Sequence, residues 1–548
     1  MVEYNFSEIL PVKVVYKTDN VTGEENLFKN KEQILFYEKE KAVFKGKGSI
    51  VLDFGKEYYG RLRLMICFIN RPDTTEHNAD VRIRLGESAA ECCADMNYKE
   101  SKNYHGVKNC EFNIYQFSEL ETGHNGFRFA RIDVLTDCEF ELINCKIVAR
   151  EEKINNIGYF ECDDKLVNDI FSTAVRTVTL CQQNGYVWDG IKRDRIVWIG
   201  DLHPEALSIL ALSGDGDRIV RSLELAAKEA ELPFWINGIP AYSMWYILIL
   251  CEVYYRTGNK DCIFNNIDYV KGVLNQVDGC IDSDGTIDFK RAAFDEDMGY
   301  FLDWTTFDTP DAEIGTKSLF VYALSVAEEL LKMVGENSDI CGKIKVKIRG
   351  WDNYTERKQI RAFQCLAKGF VSENDAELLA QNGAKGLSTF MSYYILKTLA
   401  KGGKNKQAFD IMKEYYGAML SLGATTFFED FDIDWLKDNP LPIDALEQDG
   451  KKCFHADYGR FCYTNFRHSL CHGWSSGVIP YLYENVAGIT QLDVGYKKVK
   501  ISPDLCGLKR VKAGICTPYG LLEVFIEDVD GKVFVKVNAP KEIEVIYS

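Results

Sequence analysis

The pattern of apolar and polar positions divides the chain into three stretches. Over residues 1–155, short runs alternate or stay apolar between polar turns: SIVLDFG, RLRLMICFI, VRIRLGE, CEFNIYQF, FRFARIDVL and FELINCKIVAR. Alternation at period two puts every second side chain on one face of a strand, and no helical pattern intervenes. This stretch is read as an antiparallel β-sandwich domain. From residue 156 to 488 the apolar spacing becomes helical. Helices are expected over 164–181, 202–213, 218–231, 242–256, 261–277, 312–334, 343–354, 375–381, 387–401, 406–419 and 470–486, about eleven by periodicity. Pro204 falls in the first turn of its helix, where a missing N–H costs little. Paired helices on this scale form a barrel or a solenoid, and the lack of an internal repeat disfavours the solenoid. Strands return in VKISP, KRVKAGICTP, GLLEVFIED and KVFVKVN, so a small C-terminal β domain is expected over 489–548.

Size and charge narrow the picture. A chain of 548 residues suggests two or three domains. Its 46% hydrophobic content supports packed cores. A formal net charge of -17 argues against nucleic acid as partner. No run is long and apolar enough to span a membrane, and the first residues carry no signal-peptide pattern. Eighteen scattered cysteines without CxxC or zinc spacing read as reduced core residues. The expected location is therefore the cytoplasm. Loops over 282–289 and 439–458 interrupt the helices and suit site-building or lid roles. Asp282-Ser-Asp-Gly resembles part of a calcium loop, but Arg291 stands where the bidentate Glu belongs, so it reads as a turn. Walker, HExxH and GxSxG motifs are absent. No metal or organic cofactor is expected.

The densest chemistry lies in WDGIKRDRIVWIGDLHPE, from Trp188 to Glu205. Asp189, Asp194 and Asp201 share this segment with Lys192, Arg193, Arg195 and two tryptophans. One reading is a solvated loop with surface ion pairs. Against it, Val187, Trp188, Ile191, Ile196, Val197, Trp198 and Ile199 pull the segment inward with its charges. Buried acids close together cannot all ionise easily, so one should hold its proton, as a general acid must. In an extended segment Arg193 and Arg195 would point away from Asp194. A second acidic cluster, GATTFFEDFDIDW, carries Glu429 with Asp430, Asp432 and Asp434. Glu429 is either an exposed loop acid or the second carboxylate of a glycosidase pair. His203 and His468 read as structural histidines.

From Asp189 through Arg193, Asp194, Trp198 and Gly200 to Asp201, the motif resembles that of the family 78 glycoside hydrolases, the bacterial α-L-rhamnosidases. The segment ending at Glu429 resembles the one that carries the family's general base, and Ser469-Leu-Cys-His472-Gly473 its histidine segment. LDFGKEYYGRLRL, GFRFARIDV, GYKKVKISPDL and TPYG are similar to its flanking β domains. The resemblance implies an (α/α)6 barrel catalytic domain flanked by an N-terminal β-sandwich and a small C-terminal β domain. It implies hydrolysis of terminal α-L-rhamnosides with inversion, with Asp194 as general acid and Glu429 as general base. Asp189, Arg193, Trp198, Asp201 and His472 would line the sugar pocket, with Trp245 and Trp304 as aromatic walls or, equally, core residues. Asp194 stands where the family often has Glu, and Asp-Gly-Ile where many members have Asp-Cys-Pro.

Inversion requires about 6.5–9.5 Å between the carboxyl groups, room for a water. The expected partner is a small-molecule or oligosaccharide rhamnoside, and a homodimer is left open. Alternatives are a hydrolase of another sugar, such as L-mannose or a uronide-linked rhamnose, a polysaccharide lyase on an (α/α) barrel, and a non-catalytic sugar-binding protein.

Overall fold

A computed structural model describes residues 2–31, 33, 38–104, 106–155, 157–289 and 296–547, without the side chains of residues 296 and 297. Arg291 lies outside the described residues. The chain forms two compact units. The first comprises Met1–Lys153, Gly190–Arg195 and Met419–His472; the second comprises Ile154–Asp189, Ile196–Ala418 and Gly473–Ser548. The stretch 156–488, read from sequence as one catalytic domain, thus contributes to both.

The first unit is built on one hydrogen-bonded sheet of ten strands, every pairing antiparallel. The alternation in VRIRLGE works as expected. Ala79, Val81, Ile83 and Leu85 of strand Asn78–Gly86 all face the core. The runs SIVLDFG and RLRLMICFI are halves of one strand, Gly48–Asn70. Its first half pairs with Asn125–Val134 and its second with Glu139–Glu152. The register shifts between Asp53 and Tyr58, an irregularity that carries Glu57. Residues from both halves of this strand enter a single core with Phe44, Phe127 and Phe140, so the sheet closes over itself. Val51, Phe129 and helix Ala89–Cys93 form a second cluster on the other face. Ser88 caps that helix by accepting the Glu91 N–H.

The second unit is rich in helices. Every residue of Ile199–Leu212 is buried, whereas Gly216–Glu229 buries only one face. The packing partners of six helices close into a ring: Ile199–Leu212, Pro240–Thr257, Ala312–Met333, Lys358–Lys368, Ser392–Lys401, Val478–Tyr481 and back to the first. Helix Lys358–Lys368 lies outside the expected set. The helix expected over 343–354 is Asp339–Lys347, and 470–486 becomes three short turns beginning at Gly473. At its C-terminal end this unit carries a four-stranded sheet, Arg510–Thr517, Gly520–Val529 and Lys532–Asn538 joined by Tyr159–Cys162. A three-stranded sheet comprises Ile489–Gln491, Lys498–Ile501 and Glu544–Tyr547. Asp282 and Gly285 form the expected turn. The eighteen cysteines are all buried or half-buried. Among the described residues no helix is long and apolar enough to cross a membrane.

Candidate active site

The loop Gly190–Arg195 belongs to the first unit and is seated on strand Asn125–Val134. The Gly126 N–H donates to the Ile191 carbonyl at 3.1 Å, and Arg195 donates to the His124 carbonyl. A Cβ on Gly126 would stand 2.7 Å from the Ile191 side chain, so only glycine lets the loop approach this closely. Gly190 makes a β-bridge with His472, whose N–H donates to Phe427. These contacts join the first motif to the stretch that carries Glu429.

Contrary to the extended reading, the loop turns sharply at Asp194. Asp194 and Arg195 have φ of 50° and 55°, and the Arg195 N–H reaches back to the Arg193 carbonyl at 2.6 Å. This is a tight three-residue turn with two non-glycine residues in left-handed backbone, which costs on the order of 1 kcal/mol or more per residue. The turn brings Arg193 alongside Asp194 instead of opposite it. The Arg193 guanidinium donates to the Asp194 carboxylate at 3.0 Å and also to Glu429, while its Nε holds the Arg467 carbonyl at 2.9 Å. One guanidinium fork with a hydrogen bond on each side spans at most about 8 Å, so the two carboxylates are near neighbours. The Asp194 side chain is 17% exposed and the Glu429 side chain 4%. The second Glu429 oxygen accepts the Ser469 N–H at 3.0 Å, and the Glu429 N–H donates to the Ser469 carbonyl. The neighbouring acids are committed elsewhere: Arg460 grips Asp430 with two nitrogens and Asp432 with the third.

Beneath this pair lies a buried ionic network. Lys192 bonds the carbonyls of Phe466 and His468 at 2.6 and 2.7 Å and pairs with Glu87 and Glu91. Lys108 pairs with Glu91 at 2.6 Å. Glu87 accepts the Leu470 N–H and the Ser469 hydroxyl, the residue whose N–H holds Glu429. Burial, opposed by Lys192, leaves the Glu87 carboxyl at about 7. Burial and the nearby Glu87 push Glu57 well above its usual range. Burial would raise Glu91 too, but Lys108 and Lys192 outweigh it and hold it low. Burial followed by the Lys192 charge takes His455 to about 3, so it is neutral. Glu87, Glu91 and His455 could together ligate a cation. The Lys192 ammonium touches all three and fills that role. Apart from Lys192, which lies within the first motif, these network residues carry no motif; Glu87 is marked in the sequence simply as an acid following an alternating strand.

The remaining expected residues lie in the second unit. The Asp189 N–H donates to the Ile196 carbonyl while the Ile196 N–H donates to the Asp189 carboxylate, both at 3.1 Å. Asp189 therefore ties the two ends of its loop together. Asp201 is buried in the first turn of Ile199–Leu212, a position favoured for acids by the helix dipole. Trp198 and Trp304 are half-buried in one aromatic series: Trp198 against Tyr242, Tyr242 against Phe301 and Phe301 against Trp304, with ring centres 6.2, 6.1 and 5.2 Å apart. Trp245 differs. It is wholly buried among His203, Phe363, Phe390 and Tyr394, which makes it core and removes it as a wall that a sugar touches. His203 bonds the Tyr394 hydroxyl at 2.8 Å, and burial takes it to about 3, as a structural histidine should be. Buried Glu205 explains Gly473: a Cβ there would stand 1.4 Å from its carboxylate oxygen.

Residues 488–546 match the family model of the bacterial alpha-L-rhamnosidase C-terminal domain. The GH78 family rhamnosidase of Bacillus sp. GL1 superposes with a TM-score of 0.75 at 20% identity, covering 96% of this chain and 55% of its own. Its fold is that of the GH78 rhamnosidases. The Streptomyces avermitilis alpha-L-rhamnosidase, complexed with L-rhamnose, aligns over 99% of this chain and 50% of its own at 14% identity and TM-score 0.69. The rhamnosidase from Klebsiella oxytoca, with rhamnose bound, aligns over 88% and 96% at 17% identity and TM-score 0.66. The chain thus spans about half the length of the first two rhamnosidases and nearly all of the third. No curated protein matches it in sequence.

Proposed function

We propose that this chain is an inverting glycoside hydrolase that releases terminal α-L-rhamnose, its helical ring an (α/α)6 barrel. The observation that carries the reading is the Arg193 fork. It holds Asp194, half-buried on a strained turn, beside buried Glu429 in a chain with the rhamnosidase fold. Asp194, the more accessible of the two, donates a proton to the departing glycosidic oxygen. Glu429, anchored by the Ser469 N–H, takes a proton from a water on the opposite ring face. Arg193 fixes both carboxylates and favours negative charge where it collects. Inversion needs about 6.5–9.5 Å between the carboxyl groups, and the fork's reach of at most about 8 Å is compatible with the lower part of that range.

The test is hydrolysis of nitrophenyl α-L-rhamnoside beside other nitrophenyl sugars, with proton NMR of the first-formed anomer. Release of rhamnose with inverted configuration is expected, and a retained anomer overturns the mechanism. Asp194→Asn should cost on the order of 10²–10⁴-fold on an alkyl rhamnoside and less on the nitrophenyl one, whose leaving group needs little protonation. Equal losses remove Asp194 from the acid role. Saturable rhamnose binding without product would identify a non-catalytic sugar-binding protein instead.

A further inference from the structure

A cavity of about 160 Å³ opens in the first unit, and Arg193 is one of its walls. Five of its lining residues are cationic: Lys102, Lys108, Lys192, Arg193 and Arg467. One, Glu100, is acidic, although the chain as a whole carries a formal charge of -17. Four of the cations have carboxylate partners. Lys102 pairs with Glu100, Lys108 with Glu91, Lys192 with Glu87 and Glu91, and Arg193 with Asp194 and Glu429. Among the described residues Arg467 has none. Its guanidinium lies over the Tyr104 ring, 5.2 Å from the centroid, while its carbonyl holds Arg193.

We infer that this cavity receives the carboxylate of a uronic acid to which the rhamnose is linked, with Arg467 as the group that selects it. The inference rests on the rhamnosidase reading and deepens it by naming the leaving sugar. A planar guanidinium with open donors matches a carboxylate in two-point geometry, which a neutral sugar or flavonoid does not offer. The exposed Tyr104 ring offers an apolar face to a pyranose. The Lys102 and Lys108 ammonium groups add positive potential, which a partly desolvated anion needs. The position also suits the leaving group, because Arg193 is shared between this wall and the two carboxylates.

The test compares kcat/KM of the full chain on a rhamnosyl-uronate disaccharide and on the same disaccharide with its carboxyl esterified. The acid form should be preferred about tenfold or more, as expected for a charge-assisted pair. Arg467→Gln should bring that ratio close to one, chiefly through KM on the acid, and Arg467→Lys should restore part of it. Calorimetric titration of the unsubstituted chain with D-galacturonate and D-galactose decides the question even if the variants fold poorly: the acid alone should bind. Equal turnover of acid and ester, or equal binding of the two free sugars, overturns the inference and leaves the rhamnosidase reading intact. Failure on every rhamnoside with selective galacturonate binding overturns that reading and retains the anion site.

Discussion

Each unit buries a cluster of ionised side chains, and the two clusters balance their charges differently. In the second unit Arg256 binds Glu252 at 3.1 Å, Glu484 at 2.9 Å and the Tyr496 hydroxyl, while Lys397 pairs with Glu484 and the Tyr393 hydroxyl. Two cations meet two carboxylates. Burial would raise Glu484, but Lys397 and Arg256 outweigh it, and its carboxyl stays low and ionised. In the first unit three carboxylates, Glu57, Glu87 and Glu91, meet two cations, Lys108 and Lys192. The surplus acid cannot ionise cheaply, so a proton is retained near neutrality. Burial is common to both; the ratio of charges separates a structural clasp from a proton-holding network. The proton-holding network touches the loop that positions candidate catalytic groups, through the Phe466 and His468 carbonyls and Ser469.

The comparison can be broken in four places. The largest effect is expected from Glu429→Gln, which removes the base and the negative charge on one side of the Arg193 fork. Turnover of nitrophenyl rhamnoside should fall on the order of 10²–10⁴-fold while the urea midpoint changes little. Loss of folding in place of activity would make Glu429 another structural acid. Lys192→Met comes next. It leaves Glu87 and Glu91 short of a buried cation and releases two carbonyls, so a loss of about 3–5 kcal/mol in urea unfolding is expected. The same change at the half-exposed Lys397 should cost only about 1 kcal/mol, because Arg256 still holds Glu484. Comparable losses at the two lysines would erase the distinction.

Stability against pH should then show opposite signs in the two clusters. Glu87 has a folded value near 7, above its ordinary 4.5. Its favourable contribution is full at low pH, declines as pH rises from about 4.5 to 7, and is flat beyond. Glu484 has a lowered folded value, so its contribution is present above the ordinary range and lost on acidification. Urea midpoints of Glu87→Gln and Glu484→Gln, each measured against the parent chain from about pH 3 to 8, should therefore diverge in opposite directions, Glu484→Gln below about pH 4.5 and Glu87→Gln between about 4.5 and 7. Parallel curves would place both clusters in one class. Gly473→Ala offers the smallest test: displacing the buried Glu205 carboxylate should cost about 1–3 kcal/mol.

Much of this was legible along the chain where local periodicity and burial agree. Strand Asn78–Gly86 and helix Gly216–Glu229 show the spacing their faces require. Helix Lys358–Lys368 escaped that logic because Lys358, Gln359, Arg361 and Gln364 are buried with Ile360 and Phe363, which blurs the apolar stripe. Asp194 and Glu429 could be singled out by their company of aromatic and charged residues. Their shared arginine could not, because an extended segment would have pointed Arg193 away. Trp245 looked like Trp304 in sequence, and only packing made the first core and left the second half-buried.

By itself the sequence determined the succession of strand, helix and strand regions, and which acids had company dense enough to do chemistry. Those properties depend on side-chain spacing within a few residues, where strand and helix geometry act directly. Tertiary structure alone decided that Glu87 lies beneath Glu429, that Tyr159–Cys162 completes a sheet with Arg510–Thr517, and that one guanidinium serves two carboxylates. Contacts between residues hundreds of positions apart arise from chain closure around a core. The ionisation of a buried acid then depends on which charges that closure brings beside it.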